Sequence, residues 1–143
     1  MEQTAPQAAV QEPAGFDIDS IEDVGSAEHE VTHPHTGLGT GAFITMAGPE
    51  HPERKRITMT LIRRMRAEAM RHKVKPKDPE EDMAESRQML VKITLGWRGI
   101  KKNGRELPFS PQAAEELYSD PKREWLVKQL AAAMNDQTLF IKA

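Results

Sequence analysis

Four groups of residues in this chain have the types and spacing that could do chemistry. Gly37-Leu38-Gly39-Thr40-Gly41-Ala42 fits G-x-G-x-x-[GA]. That pattern binds a dinucleotide when a buried strand precedes it and a helix follows, because the helix N-terminus holds the pyrophosphate. Here a strand pattern follows, so the segment reads as a glycine-rich hairpin loop. His29, His33 and His35 lie close together, with Glu28, Glu30 and His51 nearby. On a strand His29 and His33 share a face, which would suit zinc, but only one of these spacings has ligand geometry. The group reads as the polar face of a hairpin. Asp78, Glu80, Glu81 and Asp82 could be paired carboxylates, yet acids also belong in the first turn of any helix. Ser110 stands before Pro111 with no His partner in its sequence context, so it reads as a helix cap. The expectation is therefore no catalytic residue, no metal and no cofactor.

The remaining signal is charge. Residues 1–53 hold ten acids and no Lys or Arg, residues 54–77 hold ten Lys/Arg against one Glu, and residues 78–143 hold eleven acids against ten bases. A net charge of −2 thus hides an acidic block followed by a basic one. Separated blocks favour pairing within a chain or between copies. Asp17 and Asp19 on the acidic side, and Arg54, Lys55, Arg63 and Arg64 on the basic side, are the candidate self-association residues. The same basic run could neutralise phosphates. It lacks interleaved aromatics for stacking on bases and no DNA-reading motif frames it, so nucleic acid is not the favoured partner.

The absence of cysteine excludes disulfides, thiolate metal sites and a Cys nucleophile. The N-terminus lacks the basic and apolar regions of a secretory signal, and no apolar run approaches the roughly 20 residues of a membrane helix. A soluble, cytoplasmic protein with no membrane partner is expected. Eight Met and seven aromatics (four Phe, two Trp, one Tyr) imply a core of aliphatic residues filled out by methionine, and methionine also suits adaptable binding surfaces, the filler reading being favoured.

These residues must be positioned by a small number of elements. Residues 1–15, rich in Gln, Ala and Pro, read as a flexible tail, and 16–143 as a single domain. Phe16–Val24 alternates acids with apolar residues and reads as a short helix or an extended arm, the arm that docks late being favoured. Period-two alternation on either side of Pro34–Thr40 predicts a hairpin near 28–47, with Ala42, Ile44 and Met46 on one face. Ile57, Leu61, Met65 and Ala69 at i+4 spacing predict a basic amphipathic helix over 52–73. Asp78-Pro79 opens a second helix over 79–98, with Met83, Leu90, Ile93 and Trp97 as its apolar stripe. Ser110-Pro111 and Asp120-Pro121 open helices over 111–118 and 121–135, the last carrying Trp125. The predicted fold is mainly α within the α+β class: an N-terminal β-hairpin followed by about four helices.

Several local motifs occur in a particular order. Pro34-His35-Thr36-Gly37 and Ala47-Gly48-Pro49 precede the basic helix. Gly96-Trp97-Arg98-Gly99, Leu107-Pro108-Phe109-Ser110-Pro111, Leu117-Tyr118, Trp125-Leu126 and Leu139-Phe140 follow it. This order, over about residues 16–141, resembles the tail assembly chaperones of long-tailed bacteriophages. The family often has acids or Asn soon after the Ser-Pro, where this chain has Gln112, Ala113 and Ala114. The resemblance implies a non-catalytic factor that coats the tape measure protein in the host cytoplasm and is absent from the mature virion. It further implies self-association into rings or spirals, and a frameshifted longer form that recruits the tail tube protein. Trp97, Leu107, Phe109, Tyr118 and Trp125 are the candidate partner-binding residues, each tryptophan also being a candidate for the core. A virion structural or connector subunit and a basic-helix nucleic-acid binder are the competing readings.

Overall fold

The computed structural model describes residues 14–71 and 78–142. The tail expected over most of 1–15, and the end of the basic helix with its Val74–Lys77 break, lie outside the described residues. A short 3-10 turn over Ile18–Ser20 leads into strands β1 (Glu22–Asp23), β2 (Ser26–Thr32) and β3 (Gly39–Ala47). Helices α1 (Pro52–Met70) and α2 (Pro79–Ile93) follow, then β4 (Thr94–Arg98) and the small hairpin β5 (Lys101–Lys102) and β6 (Arg105–Glu106). Helices α3 (Pro111–Ser119) and α4 (Glu124–Met134), a 3-10 turn over Gln137–Phe140 and β7 (Ile141–Lys142) complete the chain. The fold is α+β, with the expected hairpin and four α-helices.

The helix starts form for local reasons. Asp78, Ser110 and Asp120 each sit in extended backbone before a proline, and each side chain accepts from a backbone N–H one or two residues into the turn it opens. His51 does the same for α1, its Nδ1 accepting from the Glu53 amide at 3.1 Å. The hairpin is equally local. β2 and β3 pair antiparallel from Ser26↔Ala47 to Thr32↔Gly39, with an irregularity between Glu30 and Thr32. Ala42, Ile44 and Met46 point inward and are buried, as the alternation requires.

The short strands β1 and β5–β7 were not expected, α4 begins as α-helix only at Glu124 after a 3-10 turn over Pro121–Arg123, and the largest difference lies at the end of α2. Residues 94–98 are a strand, where the apolar spacing of Leu90, Ile93 and Trp97 predicts that α2 continues. β4 pairs antiparallel with β3 (Phe43↔Arg98, Ile44↔Trp97, Thr45↔Gly96), giving a three-stranded sheet in the order β2-β3-β4. Thr94 marks the change of backbone. It takes extended dihedrals at the end of α2, and its hydroxyl donates to the Leu90 carbonyl at 2.6 Å. Trp97 is consequently a sheet residue, and Met83, expected in the α2 core stripe, is 48% exposed.

The core lies between the sheet and helices α2, α3 and α4. Ile44 and Met46 from β3, Leu90 and Ile93 from α2, Ala114 and Tyr118 from α3, and Leu126 and Leu130 from α4 are buried together. α4 is tied to edge strand β2 by Gln129. Its amide accepts from Thr32 N at 3.1 Å and donates to Thr32 O at 2.7 Å, as a neighbouring strand would. The chain ends close on its beginning: β1 pairs with β7, and Val24 N donates to Phe140 O at 2.8 Å. The root of the 16–24 segment is thus tied to the C-terminal end of the described chain.

α1 stands apart from this core. It contains no buried residue. Ile57 packs partly against the core and Leu61 is half-buried, but Met65 is 59% exposed and Ala69 is exposed as well. The i+4 stripe read from the sequence is real as a pattern, yet most of it faces solvent.

Candidate partner-binding surface

The aromatic candidates separate into two groups. Trp97, Leu107 and Phe109 converge. The Trp97 indole N–H donates to the Leu107 carbonyl at 2.8 Å, and the Trp97 and Phe109 rings meet edge to face at 4.9 Å and 88°. All three are half-buried, so the cluster braces β4 against the segment that leads into α3. Trp125 is half-buried on α4, packed against the core. Tyr118 corrects the expectation of a contact residue, being only 1% exposed. Its hydroxyl lies 2.9 Å from Thr94 Oγ1. Thr94 spends its own proton on the Leu90 carbonyl, so Tyr118 donates and Thr94 accepts.

Burial pushes the Tyr118 phenol up to about 12, a rise limited by the hydrogen bond that the Thr94 hydroxyl would donate to the phenolate if it turned from Leu90. The neutral phenol is the form the fold prefers. Its contribution to stability is complete below the unfolded value of about 10 and disappears as pH rises through about 12. Because Tyr118 is the only tyrosine, its phenolate absorbance reports this directly. The native protein should titrate near 12, and the denatured chain near the ordinary value of about 10. A native midpoint at the denatured value would contradict the burial.

The charged candidates also separate. Arg54 folds inward: Nη1 donates to Ala47 O at 3.2 Å, Nη2 to Met134 O at 2.9 Å, and its guanidinium carbon lies 5.6 Å from the Phe140 ring centroid. Desolvation pulls its pKa down. It joins the start of α1 to β3 and α4, and is not a free self-association cation. Lys55 pairs with Glu50 at 2.8 Å and Arg64 with Glu85 at 3.4 Å. Arg63 is exposed and makes no ion pair among the described residues. Asp17 accepts from the Asp19 amide at 3.0 Å, and both carboxylates are exposed.

His29 and His33 make structural contacts. His33 Nδ1 accepts from the amides of His35 and Thr36 within the hairpin loop, and His29 Nε2 lies 3.3 Å from Gln129 Oε1. No group of three or more metal-ligating side chains converges among the described residues. Only Gly37 and Leu38 of the Gly37–Ala42 motif lie in the loop, and Gly39–Ala42 already belong to β3, so a strand stands where a phosphate would need a helix N-terminus.

What the fold exposes is an apolar helical surface flanked by two grooves. The first, of about 760 Å³, runs between α1 and α2 over Ile57, Leu61 and Met89, with Arg56, Arg64 and Glu85 at its rim. The second, of about 500 Å³, lies on the other side of α2 and is lined by Met83, Pro121, Val127 and Ala131. Asp82 and Ser86 border both, so α2 forms the ridge between them. Beyond the grooves, Met59, Ile62, Met65 and Met70 on α1 are 43–78% exposed. Sequence reasoning missed this surface because it assigned the α1 stripe and Met83 to the core. The signal available was the density of methionine in 59–89 among so many cations, which suits an adaptable contact face.

Fold and surface together define a small α+β protein with an open, methionine-rich helical face. No family model, curated protein or solved structure matches this chain.

Proposed function

We propose that this chain is a non-catalytic tail assembly chaperone of the long-tailed phage type, which holds the tape measure protein soluble until the tail tube forms around it. The observation that carries the proposal is the open apolar groove between α1 and α2 over Ile57, Leu61 and Met89. The motif order through Gly96-Trp97, Pro108-Phe109-Ser110-Pro111 and the Trp125 helix supports it.

A long helical partner exposes apolar stripes that aggregate if left bare. A groove between two helices accepts such a stripe in the helix-in-groove mode. Unbranched Met side chains adapt to stripes of varying sequence. Each site is shallow, so single-copy affinity is modest and displacement by tube subunits is easy. Many self-associated copies along one partner supply avidity. The work is done in the host cytoplasm, and a frameshifted longer form would bring the tail tube protein to the coated partner.

The test is the composition of tail assembly intermediates and finished particles from one infection. The chain should be present in many copies on intermediates that contain the tape measure protein and absent from purified virions. Stoichiometric presence in the virion would instead make it a connector subunit. Release from intermediates by nuclease would indicate a nucleic-acid binder.

A further inference from the structure

We infer that the outer face of α1 is the docking site for the acidic arm of a second copy of this chain. This deepens the self-association in the proposed function by giving it an interface. At about 100° per residue, Met59, Ile62, Arg63 and Arg66 share the side of α1 turned away from Ile57 and Leu61. Met59 is 48% and Ile62 43% exposed, and neither Arg63 nor Arg66 has an ion pair or hydrogen bond among the described residues. The face therefore offers two apolar side chains and two uncompensated cations.

The arm offers the complement. Phe16 and Ile18 are 70% and 77% exposed, and they alternate with Asp17 and Asp19. Drawn out from the 3-10 turn that holds Ile18 and Asp19, four residues of arm reach at most roughly 10–13 Å, and Met59 to Arg66 spans roughly 10 Å of helix. The arm's root is fixed by the β1/β7 pairing and the Val24–Phe140 hydrogen bond, so it projects from a set position. In the single chain both partners stand uncovered. A neighbouring copy covers both at once, and because each copy has one arm and one face, the contact is head-to-tail and propagates. Apolar burial supplies the sign of the interaction and the charges its orientation.

The chain has no cysteine, which makes the test direct. Full-length Ile18→Cys and Ile62→Cys proteins are mixed at low salt and treated with a short bifunctional thiol reagent. A covalent dimer joining the two variants is expected. Arg63→Glu with Arg66→Glu, or Asp17→Lys with Asp19→Lys, should weaken assembly roughly tenfold by light scattering. Mixing the two charge-reversed proteins should restore pairing between them. Cross-linking only within a chain carrying both cysteines would show that the arm folds onto its own helix and would overturn the inference. So would a strict monomer at high concentration, or charge reversals without effect. None of these variants alters Leu61, Met83 or Met89 in the grooves, so capture of a helical partner by single copies would still be measurable if the interface failed.

Discussion

Leu61→Glu combined with Met83→Glu is expected to weaken capture of a helical partner about 100-fold while the chain stays folded. Leu61 belongs to the α1/α2 groove and Met83 to the groove on the other side of α2. Each apolar side chain is worth roughly 1.5–3 kcal/mol when fully buried, and both are already partly covered, so about half of that is at stake at each site. A carboxylate forced against an apolar stripe adds a desolvation cost. Together the losses reach roughly 3 kcal/mol, or two powers of ten in Kd. The fold should tolerate both changes. α1 has no buried residue, Met83 is 48% exposed, and Glu is a good helix former. Binding of the partner by the double variant at the strength of the parent, with unchanged circular dichroism, would remove the grooves from the account.

The second large effect concerns Gly99, which ends β4 with φ +75°. A Cβ there would meet the Gly41 carbonyl oxygen at 2.5 Å and the Ala42 Cα at 3.2 Å. Those are backbone atoms of β3, which cannot retreat without loosening the β3/β4 pairing that holds Trp97. Gly104 has nearly the same dihedral, φ +74°, but nothing within 4 Å of its Cβ position. Left-handed backbone alone costs a non-glycine residue roughly 1–2 kcal/mol. Overpacking adds roughly 1–3 kcal/mol more. Gly99→Ala should therefore destabilise by about 3 kcal/mol or more, and Gly104→Ala by about 1 kcal/mol. Denaturant unfolding of the pair checks this. Equal losses would show that the close approach of residues 99 and 41 does not matter.

The parts of this fold that were legible in the sequence are those written locally. Asp78-Pro79, Ser110-Pro111 and Asp120-Pro121 each announce a turn of helix within a few residues, and all three do open one. Alternation through Ala42, Ile44 and Met46 fixed the hairpin and its buried face. β4 was hidden because Leu90, Ile93 and Trp97 also satisfy helical spacing, and the pairing that overrules it comes from β3, far away in sequence. Thr94, with its hydroxyl turned back to Leu90, was the faint local sign. The candidate surface was less legible for a different reason. Periodicity shows that α1 has an apolar face but not whether anything covers it. Tyr118 and Arg54 err in opposite senses: a phenol with one hydroxyl partner can be fully buried, and a long cation can fold back to cap distant carbonyls.

Co-expression with the tape measure protein tests the central claim most directly. More of that partner should be recovered soluble with this chain than without it, co-purifying with many copies of the chain, and the Leu61→Glu/Met83→Glu variant should fail to give that gain. A tape measure protein that remains insoluble beside abundant, folded chain, or that is rescued equally by the groove variant, would contradict the account.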